Sequence, residues 1–224
     1  MRHIIAATLV LVLAGILVSP VFATIILPND DTYLDQSAST TVRDYPGVGQ
    51  TGGILMKGQT GSQRIGIIEF TLPDVTVTSA TVNFLHVRSW AADTSWVLQI
   101  TGKQISFDEN VITWGNSTLQ TSVGVTAIGG PLTMPGGMNG TQDITPPQWR
   151  SVDMTSFFND NKGTTVTLFF KNTDNSGTKG GTIEDREGAR TGNPANGPYI
   201  DFVPEPASLL LLGLGLMPVI RRRR

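Results

Sequence analysis

Five basic residues and one tryptophan carry the most suggestive chemistry in this chain. Lys57, Arg64, Arg88, Arg186 and Arg190 are spread through its middle, and Trp90 follows Arg88 after a single serine. An arginine fork matches a carboxylate in bidentate fashion, and an indole ring is a plate for a sugar. Gathered in one groove, these residues would bind an acidic polymer; left apart, they are ordinary surface charge. Four carboxylates form the second constellation. Asp30 and Asp31 lie in Asn29-Asp30-Asp31, Asp160 lies in Asn159-Asp160-Asn161, and Asp174 lies between Thr173 and Asn175. Hard cations take oxygen ligands of this kind, so a structural calcium ion is the cofactor expected here. Asn and Asp also favour turns for their own reasons.

Residues for catalysis are scarce. Between the two termini there is one histidine, His86, within a strand pattern, and the sequence gives it no nucleophile to activate. Cysteine is absent, so thiol chemistry and Cys-containing zinc sites are excluded and no disulfide can form. No glycine-rich turn sits between a strand and a helix, as phosphate binding would need. A lyase using Tyr33, Tyr45 or Tyr199 as base would need a cation beside the phenol, and the sequence pairs none of them with one. The expected protein is therefore not an enzyme.

The elements that must position these residues are strands. Short β-rich runs recur between Gly, Pro, Asn and Asp: Thr32–Asp35, Gly53–Lys57, Arg64–Thr71, Ala80–Arg88, Ser95–Ile105, Val111–Trp114, Trp149–Met154, Thr165–Lys171 and Pro198–Val203. Val166, Leu168 and Phe170 share one face of their run. Ala80, Val82 and Phe84 also share a face, before Leu85 and Val87 switch sides, which implies a bulge or a strand covered on both faces. Trp114 and Trp149 fall inside strand patterns and are expected in the core. Thr155 to Asp160 reads as one helical turn capped by Asp153 or Thr155. Residues 125–147, rich in Gly and Pro, predict the weakest order. The fold class expected is all-β, an antiparallel β-sandwich of jelly-roll type, flanked by cleavable apolar helical segments at both ends.

Those ends differ from the middle. Arg2 and His3 precede the apolar run Ile4 to Val18, then Ser19-Pro20-Val21-Phe22-Ala23, the pattern of a signal peptide cut after Ala23. At the other end Pro204-Glu205-Pro206 is followed by the uncharged Ala207 to Ile220 and then Arg221, Arg222, Arg223 and Arg224. Fourteen helical residues reach about 21 Å, against a bilayer core of about 30 Å. The segment is short for a permanent span, and its arginines hold it on the cytoplasmic side. The organisation expected is a signal peptide over 1–23, one domain over 24–203 and a sorting tail over 204–224. The whole chain has 16 basic and 18 acidic residues; without the five arginines of the ends and Glu205, 11 and 17 remain. A domain near −6 is a poor nucleic-acid ligand.

Six segments in order resemble a DNRLRE domain, a β-sandwich related to a carbohydrate-binding module. They are Asn29 to Leu34, Gln63 to Pro73, Thr78 to Phe84, Glu109 to Asn116, Trp149 to Thr155, and Asp185-Arg186-Glu187 before Pro198-Tyr199-Ile200. Asp185 stands where serine is usual, and Glu69 where aspartate is. The tail resembles the PEP-CTERM sorting signal of Gram-negative, exopolysaccharide-producing bacteria, which an exosortase removes. The resemblances imply an exported protein of the cell surface or extracellular matrix. Signal peptidase and exosortase would be its partners in export, and it would touch the membrane only in transit. Its domain would bind extracellular polysaccharide, an acidic one suiting the arginines. The rival expectation is a structural or adhesive envelope component with no sugar site.

Overall fold

The computed structural model describes residues 23–43, 53–90, 93–117, 119, 124–137, 142–175, 178–188 and 191–205. Residues 1–22, which make up all but Ala23 of the expected signal peptide, the apolar tail with Arg221 to Arg224, Pro206, Arg190 and Tyr45 lie outside them. Among the described residues no helix is long and apolar enough to cross a membrane.

Among the described residues, eleven antiparallel strands form one curled sheet: β1 Thr24–Ile26, β2 Asp30–Asp35, β3 Ile54–Lys57, β4 Arg64–Thr71, β5 Val77–Ser89, β6 Trp96–Lys103, β7 Thr126–Met134, β8 Asp143–Asp153, β9 Thr165–Asn172, β10 Gly180–Ile183 and β11 Tyr199–Pro204. Among the described residues the one α-helix, α1, spans Thr155–Asn161. The hydrogen-bonded order is β1-β11-β5-β10-β3-β4-β9-β6-β7, with β2 on β4 and β8 on β5. One limb is organised by the long β5. It pairs with β8 along one edge and with β11 and then β10 along the other. The other limb is β7-β6-β9-β4-β2. The two limbs are joined through β3, which meets β4 at the single pair Lys57–Arg64. The jelly-roll sandwich of the sequence reading is a finer description than this curled antiparallel sheet.

The limbs close over a shared core because their apolar residues alternate. From β5, Ala80, Val82 and Phe84 point inward to meet Val166, Leu168 and Phe170 of β9, all buried in one cluster. Phe84 and Phe170 touch edge to face at 5.3 Å, worth about 1 kcal/mol beyond the area they bury. Leu85 and Val87 are buried on the opposite face of β5, and the strand shifts register against β8 and against β10. It is thus both irregular and covered on two sides.

Four expectations are corrected. The Val111–Trp114 stretch is not a strand. The backbone N–H of Thr113 donates to Asn116 Oδ1 at 2.8 Å and that of Asn116 to Thr113 Oγ1 at 3.2 Å, so side chains take the bonds a ladder would need. This loop packs Phe107, Ile112 and Trp114 over Leu34, Ile65, Ile67 and Phe169, forming a second, smaller cluster. Residues 125–147, of which 138–141 lie outside the described residues, include β7 and the start of β8. These strands are mostly exposed and turn few apolar side chains inward, which removes the period that would reveal them. Trp149 is 44% exposed and so is no core residue. Helix α1 starts as expected, but its N-cap is Met154; Asp153 Oδ1 accepts from the N–H and hydroxyl of Thr155 instead.

Candidate functional site

Strand register gathers a cationic cluster where β2, β3 and β4 meet. Asp35 and Lys57 are both paired with Arg64. Trp90 follows β5, its N–H donating to the Gly180 carbonyl at 2.9 Å. Its ring, half-buried against the main core, has Lys57 Nζ at 5.6 Å and the Arg64 guanidinium carbon at 5.1 Å. Arg64 also stands 5.9 Å from the Tyr33 ring, with Arg43 at 6.0 Å. Three cations thus alternate with two aromatic rings, at distances where cation–π attraction operates. Asp35 Oδ2 accepts from Arg43 at 2.9 Å and from Arg64 at 3.0 Å. Burial alone would raise the pKa of Asp35, but the Ser37 hydrogen bonds and the two guanidinium groups outweigh it and hold the carboxyl below its usual range. Among the described residues Lys57 has no carboxylate within ion-pair distance.

The other basic residues are divided. Arg88 bonds through Nη2 to Gln142 Oε1, and Gln142 Nε2 donates to the Trp90 carbonyl at 2.9 Å, so Arg88 borders the cluster indirectly. Arg186 does not join it. Its Nη1 lies 3.3 Å from Asp30, its Nη2 2.6 Å from Glu109 and its Nε 2.5 Å from Glu187. Asp30 and Asp35 occupy opposite ends of β2, so the two sites are separated by the length of that strand. Arg190 is outside the described residues.

The four carboxylates expected around calcium do not meet. Asp30 and Asp31 lie beside Arg186, which supplies positive charge there; Asp160 is exposed on α1; Asp174 pairs with Lys179 at 3.7 Å and accepts from the Val97 N–H at 3.2 Å. Among the described residues no three His, Cys, Asp or Glu side chains are grouped to hold a metal ion. Asp31 is buried and accepts the Arg186 N–H at 2.7 Å. Burial, then repulsion from Glu187, push its pKa well above the usual value. A carboxyl whose folded pKa is raised penalises the folded state as pH climbs above the unfolded pKa. We therefore expect Asp31→Asn to raise the melting temperature at pH 7, with the gain vanishing below about pH 4. A variant that melts lower than wild type at pH 7 would contradict this.

Candidates for catalysis are poorly poised. His86 is fully buried, its Nε2 bonded to the Arg88 carbonyl at 2.9 Å, and burial pulls its pKa down to about 4. Tyr33 does acquire two cations, which the sequence did not reveal. They stand over its ring, however, and burial keeps the pKa of the phenol above its usual value despite them. A phenol acting as base needs the opposite shift.

The last strand leads into the tail. Phe202 is buried and its ring lies 5.2 Å from that of Phe158. Pro204 still pairs with Val77, and the Glu205 N–H donates to the Thr76 carbonyl at 2.9 Å. The domain therefore runs slightly past Val203. Residues 202–224 match the PEP-CTERM protein-sorting motif. The PEP-CTERM tail marks the chain as an exported protein sorted to the cell surface by an exosortase. Its first residues, Phe202 to Pro204, are also part of β11. No curated protein matches the chain.

Sequence reasoning missed Arg43, Asp35 and the role of Tyr33. Asp35 and Tyr33 lie two residues apart on the strand that begins at Asp30, so alternation alone would have put them on one face. Nothing in the sequence pointed to Arg43.

Proposed function

We propose that this exported domain binds an acidic extracellular polysaccharide through the cationic cluster of Lys57, Arg64 and Arg43 around Trp90 and Tyr33. The observation that carries this reading is the convergence of three cations and two rings around one carboxylate, with Lys57 lacking an acidic partner among the described residues. Polymer carboxylates would meet Lys57 and the outer edges of the guanidinium groups. The rings would hold the cations in place and act less as stacking plates, since their neighbours are already cations. The DNRLRE resemblance, a jelly-roll sandwich made by the two facing limbs, a non-catalytic role and a place in the surface matrix of a Gram-negative bacterium belong to the same proposal. The buried His86 and the raised pKa of Tyr33 support the absence of catalysis in it.

Lys57→Gln is the informative variant, because Arg64 also neutralises Asp35 and its loss would strain the fold. We expect Lys57→Gln to weaken binding to polygalacturonate or alginate about tenfold, or about 1.4 kcal/mol, with an unchanged melting temperature. Unaltered affinity would count against the site. One observation favours the rival reading of a structural surface component: Arg43 and Arg64 are both engaged by Asp35, as a purely internal clamp would be. In that case Lys57→Gln changes neither binding nor surface retention.

A further inference from the structure

The outer face of β5 carries a second constellation, with chemistry unlike that of the cationic cluster. Trp149 of β8 is paired with Leu85, and Tyr199 of β11 with Asn83, so the two aromatic residues flank β5 on either side. Their ring centroids are 5.4 Å apart with planes at 63°. Leu85 is buried, yet Trp149 keeps 44% of its surface in water. No other aromatic residue among the described ones is classed as exposed.

Next to the rings runs a row of fixed polar groups. Ser151 Oγ donates to Asn83 Oδ1 at 2.6 Å, and Asn83 Nδ2 donates to Asp201 Oδ1 at 2.8 Å. Asp153 and Asp201 are both paired with Thr81, one from each side. Trp149, Ser151 and Asp153 alternate along β8, and Tyr199 and Asp201 along β11, so all five share the face of the sheet that Asn83 and Leu85 occupy. These positions hold two carboxylates and no lysine or arginine.

A pyranose has an apolar C–H face and a rim of hydroxyl groups. An exposed aromatic ring suits the first, and carboxylates held in place by neighbouring amides suit the second, because charge-assisted hydrogen bonds are the strong ones. Charge complementarity then selects among polymers: Asp153 and Asp201 would repel a uronate and accept a neutral sugar. We propose that this face is a binding site for a neutral polysaccharide, independent of the acidic-polymer reading above. A protein with both sites bridges two kinds of polymer.

The test is affinity electrophoresis of the folded exported protein in gels containing hydroxyethyl cellulose, galactomannan or polygalacturonate. We expect at least one neutral polymer to retard the wild type, with Trp149→Ala weakening that retardation tenfold or more. Lys57→Gln should leave it unchanged. Asp201→Ala, which keeps the aromatic pair, should weaken it about fivefold, and it decides the matter if Trp149→Ala does not fold. The proposal is overturned if neither neutral polymer retards the wild type, or if both variants bind as wild type does. It is equally overturned if polygalacturonate is the polymer that depends on Trp149. Sedimentation showing a dimer that Trp149→Ala abolishes would assign the face to a second copy of the chain and overturn it too. Failure with the neutral polymers leaves the Lys57 reading intact, because that reading is scored on the acidic one.

Discussion

Alanine in place of Phe170 is expected to cost the domain about 3–5 kcal/mol of stability. Phe170 is fully buried on β9, paired with Gly66 of β4 and Ile100 of β6, and its ring meets Phe84 from the opposite limb. It is therefore a contact through which the two limbs are held together. The void left by alanine could not close easily. Gly66 has no side chain to fill it, and hydrogen bonds to strands on both sides hold the β9 backbone in place. Urea titration checks this directly: the midpoint should fall while the slope stays constant, the mark of a stability change without a change in the states compared. A loss below about 1 kcal/mol would mean that the limbs do not pack through this ring.

The second large effect is on acid stability, and it belongs to His86. Its imidazole is fully buried, 5.8 Å from the Trp96 ring, and Nδ1 has no hydrogen-bond partner among the described residues. Burial lowers the pKa from 6.5 to about 4; the bond to the Arg88 carbonyl opposes this, and the charge on Arg150 adds to it. A depressed folded pKa gives stability that is present above the unfolded value. That stability is lost as pH falls, because the unfolded chain takes up a proton that the folded chain refuses. From pH 7 to pH 4 the loss is about 3 kcal/mol, taking about 1.4 kcal/mol per pKa unit. His86→Gln removes the titration and can still donate to the Arg88 carbonyl. The stability of wild type relative to this variant should therefore fall by that amount across the window. Parallel pH profiles would contradict it. Asp31 works the other way, since its raised pKa makes acid less harmful, so the Asp31→Asn protein should lose total stability more steeply toward acid than wild type does.

How much of this was legible in the sequence differs from element to element. Arg64–Thr71 and Thr165–Asn172 stand out because both turn an unbroken apolar face to the core. The strands β7 and β8 do not, because they lie at the rims of the sheet and most of their side chains meet solvent. Val111–Trp114 looked like a strand from its β-branched and aromatic residues. What decides its shape is the reciprocal bonding of Thr113 and Asn116, which no period records. The candidate site was legible in part. Lys57, Arg64 and Trp90 do converge, but Arg43 reaches them from a segment with no pattern of its own, and Arg186 is drawn away by carboxylates distant in sequence. The PEP-CTERM tail was fully legible, because its signal is an order of local features and not a fold.

The measurement that bears most directly on the proposed function is a titration of the folded, exported protein with polygalacturonate, alginate and a neutral dextran at low and high salt. The account predicts saturable binding to at least one uronate polymer at low salt, weakened as salt screens the Lys57, Arg64 and Arg43 cluster, and no comparable binding to dextran through that cluster. Absence of binding to both uronate polymers at low salt, by protein whose fold is verified, would contradict it.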